Sequence, residues 1–312
     1  MVRLPRTRQQ MNRLARRATL LINPAARGSI NFDVVRALKH LRANDVTPRL
    51  AFSRDPDHGI EIAEQSVKDE DDLLFVVGGD GSARGLAGVL AGSDTALATL
   101  RGGTANVWAH EMGIPSGPRG IDAHLSGQVV AIDLCYCNDE PFLLMAGIGW
   151  DAMITAGVNP EIKRRIGPGA YVVEALRELP KLRPVTVTLA IDGEERAERV
   201  AMVLLSNTRL YGSVARLSPD AVATDGLFDV LIASPVGRLA TVNSAVRMAV
   251  PGLKDGEGVT RLRAREVTIP TPGLPIQLDG DANGETPATF RVEPRALKVS
   301  VPAGPLPEVL GG

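Results

Sequence analysis

The chain has 312 residues, 44% hydrophobic and 23% charged, proportions of one large or two ordinary folded domains that exclude disorder as the dominant state. Its 32 glycines and 22 prolines fall far short of a collagen-like repeat, and with only 4% aromatics any core must be aliphatic. The net charge is −1, yet residues 1–17 hold six arginines (Arg3, Arg6, Arg8, Arg13, Arg16 and Arg17) and no acid, leaving 29 basic against 36 acidic residues elsewhere, a balance that argues against a body built to bind nucleic acid.

The basic arm, 1–17, reads as a flexible solvated tail with a weak attraction for anionic lipid; no apolar stretch follows that would make it a targeting peptide. Thr19–Ile22 is a short apolar strand that stops at Asn23-Pro24. A helix follows with Val34, Val35, Leu38 and Leu41 on one face, then a strand at 49–52 and a helix with Ile60, Ile62, Ala63 and Val67 on its apolar side. Leu73–Val77 is a continuous apolar run, the pattern of a strand covered on both faces, ending in Gly78-Gly79-Asp80-Gly81-Ser82. A helix from about Ser82 carries Ala83, Leu86, Ala87 and Leu90, and the strand Ala96–Leu100 ends at Gly102-Gly103-Thr104. This alternation predicts a parallel sheet with helices on both sides, whose ligand sits beyond the carboxyl ends of the strands.

From about residue 134 the rhythm changes to short strands joined by turns, including a hairpin across Asp192-Gly193. Helices are read near 170–179 and 238–249, the latter with a Leu239, Val242 and Val246 stripe that suits sheet packing better than lipid contact. Cys135 and Cys137, two apart in a strand, share a face and read as reduced core thiols. Trp108 and Trp150 read as core, and His40, His110 and His124 as structural or surface residues; His58 opens a helix near the carboxyl edge of the strands. No apolar run approaches the roughly 18 residues of a membrane span, so the reading is a cytoplasmic protein.

The loops carry the chemistry. Glycines 78, 79 and 81 remove the Cβ atoms that would keep a polyanion off the backbone, and the following helix adds its N-terminal dipole. Asp80 would repel a bare phosphate; it makes sense against a metal ion or as acceptor of loop N–H groups. Gly102-Gly103-Thr104-Ala105-Asn106 is a second loop of the same kind at the next strand end.

V-V-G-G-D-G-S at 76–82 followed by G-G-T-A-N at 102–106 resembles the diacylglycerol kinase catalytic family, which includes bacterial soluble lipid kinases and the sphingosine and ceramide kinases. The likeness runs from Leu20 to Val301. It takes in Asn23-Pro24 with Arg27-Gly28, Ser53 with His58-Gly59, Asp133, G-I-G-W-D-A at 147–152, and Tyr211-Gly212 with S-P-D-A-V-A-T-D-G-L-F-D-V at 218–230. It ends with Leu278-Asp279-Gly280-Asp281, Thr286-Pro287 and Pro294-Arg295-Ala296-Leu297.

The resemblance implies an α/β nucleotide-binding domain (18–133) and a β-rich, sandwich-like lipid-substrate domain (134–290), with a cleft between them. A return segment (291–312) would pack toward the first, placing Asp281 across the cleft from the phosphates. It implies that Asn23, Pro24, Ala25, Arg27, Ser53, Gly78, Gly79, Asp80, Gly81, Ser82 and Thr104 contact ATP. A structural Mg²⁺ would take the Asp225 carboxylate and the backbone oxygens of Val222 and Leu227, hard donors for a hard cation. Asp281 would be the catalytic base. The implied activity is ATP- and Mg²⁺-dependent phosphorylation of a diacylglycerol-like hydroxyl, with peripheral contact to an anionic membrane; a homodimer is left open.

Three positions depart from the family. Ser82 replaces threonine, Thr224 replaces the first acid of D-D-G, and Asp281 stands where the family usually has glutamate. Two other readings therefore stay in view: a catalytically impaired nucleotide- and lipid-binding protein, and an NAD kinase, which also carries G-G-D-G before a β-rich domain.

Overall fold

The computed structural model describes residues 17–157, 174, 177, 184–212, 215–234 and 258–312. The basic arm before Arg17, most of the helix read near 170–179, and the helix near 238–249 with its Leu239, Val242 and Val246 stripe lie outside the described residues. The chain divides into two compact units, one comprising residues up to Ile132 together with Arg295–Leu310, the other Asp133–Pro294.

In the first unit, β1 (Arg17–Ile22), α1 (Val34–Ala43), β2 (Thr47–Phe52), α2 (Pro56–Lys68), β3 (Leu73–Gly78), α3 (Asp80–Leu90) and β4 (Ala96–Arg101) alternate as the periodicity predicts. Two short helices, α4 (Val107–Glu111) and α5 (Arg119–Leu125), follow. The strands are parallel in the order β2-β1-β3-β4. Every residue of β3 is buried. Leu73, Phe75 and Val77 join the cluster with Ala37, Leu41, Ile121 and Leu125, while Leu74 and Val76 are buried on the opposite face. A sheet covered on both sides needs that unbroken apolar run.

Helix α1 is rotated from the expected phase. Val35 is 63% exposed, and Ala37 with Leu41 makes the buried stripe. Helix α3 starts two residues before Ser82, with Gly79 as its N-cap and Asp80 in its first turn, where a carboxylate complements the helix dipole. His124 is fully buried between Ser300 Oγ (3.0 Å) and the Thr99 carbonyl (2.8 Å); burial pushes its imidazole down to about 4, so it packs as a neutral ring. Trp108 and Trp150 are buried, as are the free thiols of Cys135 and Cys137.

The second unit contains β5 (Gln128–Cys137), which enters from the first unit, then β6 (Glu140–Phe142), β7 (Met145–Gly149), α6 (Trp150–Gly157), β8 (Val185–Ile191), β9 (Glu194–Val200), β10 (Met202–Ser206), β11 (Leu210–Tyr211), β12 (Ala215–Arg216) and β13 (Phe228–Ala233). β14 (Val259–Ala264), β15 (Glu266–Ile269), β16 (Pro275–Leu278), β17 (Asp281–Glu285) and the part of β18 (Ala288–Val301) before Arg295 complete it. One antiparallel sheet runs β14-β13-β10-β7-β16-β17; in another, β15 pairs with β18 and β8, and β8 with β9. Both supply one core, with Ala146, Ile148, Leu205, Val230 and Leu278 from the first and Val187, Leu189, Val267 and Phe290 from the second. This is the β-rich, sandwich-like arrangement expected. Asp192 and Gly193 both have positive φ, closing the predicted β8–β9 hairpin. Strand β18 pairs with β15 through Ala288–Arg291 and, further on, runs parallel to β4 with Val299 opposite Leu97. Among the described residues, no helix is long and apolar enough to cross a membrane.

Candidate active site

Parallel register brings the carboxyl ends of β1, β2, β3 and β4 to one edge of the first unit. Ile22 lies opposite Phe52 and Val77, and Gly78 opposite Arg101. The loops beyond these ends interlock through their backbones. Gly28 N–H donates to the Gly102 carbonyl at 2.7 Å, and Gly102 N–H donates to the Gly78 carbonyl at 2.9 Å. A Cβ on Gly102 would lie 2.7 Å from the Gly78 nitrogen, and one on Gly103 would lie 2.5 Å from the Gly79 Cα. These two glycines are required by the close approach of two main chains, a constraint beyond any ligand.

Side chains complete the weave. Asn23 Nδ2 donates to Ser82 Oγ at 3.0 Å, while Asn23 Oδ1 accepts from Ala25 N–H at 3.0 Å. Ser53 N–H donates to the Ile22 carbonyl at 3.0 Å, so Ser53 sits at the same edge. Pro24, Ala25, Arg27, Gly81 and Thr104 are exposed there. Asn106, at φ 49°, folds back to accept from Gly103 N–H (2.8 Å) and donate to the Gly103 carbonyl (2.9 Å). His58 faces its own loop, its Nδ1 accepting from Arg54 N–H at 3.2 Å.

Asp80 has a definite partner. Its two oxygens accept Val107 N–H (3.0 Å) and Trp108 N–H (2.9 Å) at the start of α4. Of the two roles open to it in the sequence, the structure gives it the second, acceptor of loop N–H groups, but from the neighbouring loop. Burial pushes its carboxyl above the ordinary value, opposed by those two N–H bonds. It therefore ties the Gly78–Ser82 turn to the Gly102–Asn106 turn. Arg101, missed by the sequence reading, stands at the same strand end. Its Nη1 lies 3.3 Å from His110 Nε2 and 3.5 Å from Ser116 Oγ. A basic residue directly before a glycine turn was its only signal.

In the second unit, Asp281 is exposed and opens β17 opposite Leu278. The turn between them has positive φ at Asp279 and Gly280. Asp279 anchors it: Oδ2 accepts Leu143 N–H (2.8 Å), and Oδ1 accepts Leu144 N–H (2.8 Å) and Met145 N–H (3.0 Å). Gln277 Oε1 accepts Gly280 N–H at 2.7 Å, and its Nε2 donates to Asp151 Oδ2 at 2.8 Å. Asp151 Oδ1 accepts the Tyr211 hydroxyl at 2.5 Å. The G-I-G-W-D-A motif is explained by this packing, because a Cβ on Gly147 would fall 1.6 Å from Asp151 Oδ2.

Burial pushes the Asp151 carboxyl up, against the lowering effect of its Tyr211 and Gln277 bonds. A carboxyl raised in the folded chain binds its proton more tightly than in the unfolded chain. Its contribution is thus complete below the unfolded value near ~4 and is lost as pH rises toward the folded one. Asn at 151 can accept from Gln277 and donate to the Tyr211 oxygen, and it does not titrate. The melting-temperature difference between Asp151→Asn and wild type should therefore move in the variant's favour from pH 4 to pH 8; a constant difference would refute the assignment.

The carboxylate expected to hold a structural Mg²⁺ is already taken by protein groups. Asp225 Oδ2 is bound by Arg263 Nη2, and Oδ1 accepts Leu227 N–H at 3.0 Å. The Val222 carbonyl faces Asp225 N–H at 3.4 Å. Among the described residues, no cluster of three or more His, Cys, Asp or Glu side chains is arranged to hold a metal.

Comparison with known proteins matches this architecture. Residues 17–137 match the diacylglycerol kinase catalytic domain, and residues 145–301 match the YegS C-terminal NAD kinase beta sandwich-like domain. A diacylglycerol kinase of Mycobacterium tuberculosis is 30% identical over 74% of this chain and 77% of its own. A probable lipid kinase YegS-like protein of Pseudomonas putida is 33% identical over 73% and 76%. The crystal structure of a diacylglycerol kinase from Bacillus anthracis shares the fold, with a TM-score of 0.70 and 17% identity over 93% of this chain and 98% of that one. The interlocked glycine turns and the matches over both units lead to one conclusion: the chain belongs to the diacylglycerol kinase family, phosphotransferases with an alcohol acceptor.

Proposed function

We propose that the chain transfers the γ-phosphoryl group of ATP, with Mg²⁺, to the hydroxyl of a diacylglycerol-like lipid. The observation that carries this reading is the interlocked pair of turns, Gly78–Ser82 and Gly102–Asn106, at the carboxyl edge of a parallel sheet, where the N-terminus of α3 and its dipole favour phosphate. Magnesium carried with the nucleotide would neutralise charge on the transferring group, and the protein's share of such a transfer is mainly positioning. Asn23, Pro24, Ala25, Arg27, Ser53 and Thr104 would contact the nucleotide around that cradle, with Arg101 adding positive charge at its edge. Asp281, on a turn fixed by Asp279 and Gln277, would accept the proton of the lipid hydroxyl as the new O–P bond forms and ADP departs.

The acceptor would be met at a membrane surface. The six arginines of residues 1–17 would draw the chain toward anionic headgroups at low salt, an attraction that fades as salt screens it.

Radiolabelled ATP incubated with a panel of lipids in mixed micelles, and in parallel with NAD, tests the reading. Labelled phosphatidate formed with Mg²⁺ and abolished by EDTA is the expected result. Labelled NADP without labelled lipid would replace it with an NAD kinase, and ATP binding without any transfer with an impaired binding protein.

A further inference from the structure

We propose that the Arg263 guanidinium is the resident cation of the 222–227 turn, so that this chain orders the turn without a divalent ion. The inference stands apart from the lipid kinase reading, because it concerns how the second unit is held together.

Arg263 reaches the turn from a rigid position. It lies on β14 directly opposite Asp229 of β13 in antiparallel register. From there its Nη2 binds Asp225 Oδ2, while its Nε lies 3.5 Å from Asp229 Oδ2. One guanidinium thus spans two carboxylates, which its planar set of N–H donors suits better than a point charge would.

Other polar groups of the turn are also met by protein. The second Asp225 oxygen accepts Leu227 N–H. From the buried side, Asp133 Oδ2 accepts Gly226 N–H at 2.6 Å, and Asp133 N–H donates to the Ala223 carbonyl at 2.8 Å. A cation arriving here would have to displace Arg263 before reaching the carboxylate. Thr224 supplies no second carboxylate within the turn, and calcium- and magnesium-type affinity is tuned by the count of charged oxygen ligands. The loss of one acid and the presence of a fixed cation point the same way.

The three side chains are 44%, 25% and 20% exposed for Arg263, Asp225 and Asp229. Solvent therefore screens the attraction, and the effect to look for is a modest change in melting temperature together with a change in metal response.

The experiment uses the full chain without nucleotide. Melting temperature is measured with excess Mg²⁺ and with EDTA, and Mn²⁺ binding is followed by electron paramagnetic resonance in wild type and Asp225→Asn. Wild type is expected to melt at the same temperature in both buffers and to bind no Mn²⁺ that Asp225→Asn abolishes. Arg263→Gln is expected to melt a few degrees lower and to be raised by Mg²⁺, which leaves wild type unmoved. A wild type destabilised by EDTA, or a Mn²⁺ site lost in Asp225→Asn, overturns the proposal. So does an Arg263→Gln melt that equals wild type or that Mg²⁺ does not move. The wild-type measurements decide the matter even if the variant fails to fold.

Discussion

Asp281→Asn is expected to slow lipid phosphorylation by about 10²–10⁴-fold, the usual contribution of a general base, with ATP affinity and melting temperature kept. Asn is nearly isosteric with Asp and takes no proton at neutral pH, and the side chain is exposed, so a folding defect would not explain the loss. Its neighbour supplies the control. Asp279, two residues earlier, accepts three backbone N–H groups, and each buried donor left unmet costs about 1–3 kcal/mol. Asp279→Ala should therefore lower the melting temperature, and Asp281→Asn should not. Asp281→Glu asks how the shorter acid is accommodated. If the backbone of the turn stands where the family's glutamate needs it, the added methylene raises activity; if the turn has moved in to suit aspartate, glutamate crowds the hydroxyl and lowers it. Unaltered phosphorylation in both Asp281→Asn and Asp281→Glu would remove Asp281 as the base.

The second large effect is expected at Asp80. Asp80→Ala removes the acceptor of Val107 N–H and Trp108 N–H and cuts a side-chain link between the two glycine turns. Two unmet donors cost roughly 2–6 kcal/mol at about 1–3 each, which the buried core of the first unit can absorb, so the fold should persist. The Gly102–Asn106 turn then loses its register against Gly78–Ser82. A displacement of about 1 Å at a reacting site costs on the order of 10²-fold, and turnover should fall by at least that. Asp80→Asn keeps one acceptor and turns an amide against the other N–H, so its loss should be intermediate. Circular dichroism with steady-state transfer kinetics checks both variants. Turnover near wild type in Asp80→Ala would make this carboxylate a helix cap with no bearing on the nucleotide loop.

Much of the first unit was legible along the chain, because its signals are local. Leu73–Val77 is apolar at every position since both faces of β3 are covered, and the glycines that follow mark where the strand must turn. Asp192-Gly193 announces a two-residue hairpin because only such residues enter positive φ easily. The family motifs were equally local, each a few contiguous residues.

What the tertiary structure decided are the partners of the charged groups, and these are distant in sequence. Asp80 finds α4 27 residues onward, Asp279 reaches back to Leu143–Met145, and Asp225 meets Arg263 38 residues away across a strand pair. Nothing near Asp279 or Asp281 distinguishes an anchor from a candidate base, although they are two residues apart in one turn. The phase of α1, which leaves Val35 outside, likewise follows from how the helix seats on the sheet. Backbone conformation answers to a residue and its immediate neighbours, so composition and spacing reveal it. The role of a carboxylate answers to whichever N–H or guanidinium the folded register brings within 3 Å, and that register exists only once the strands have paired.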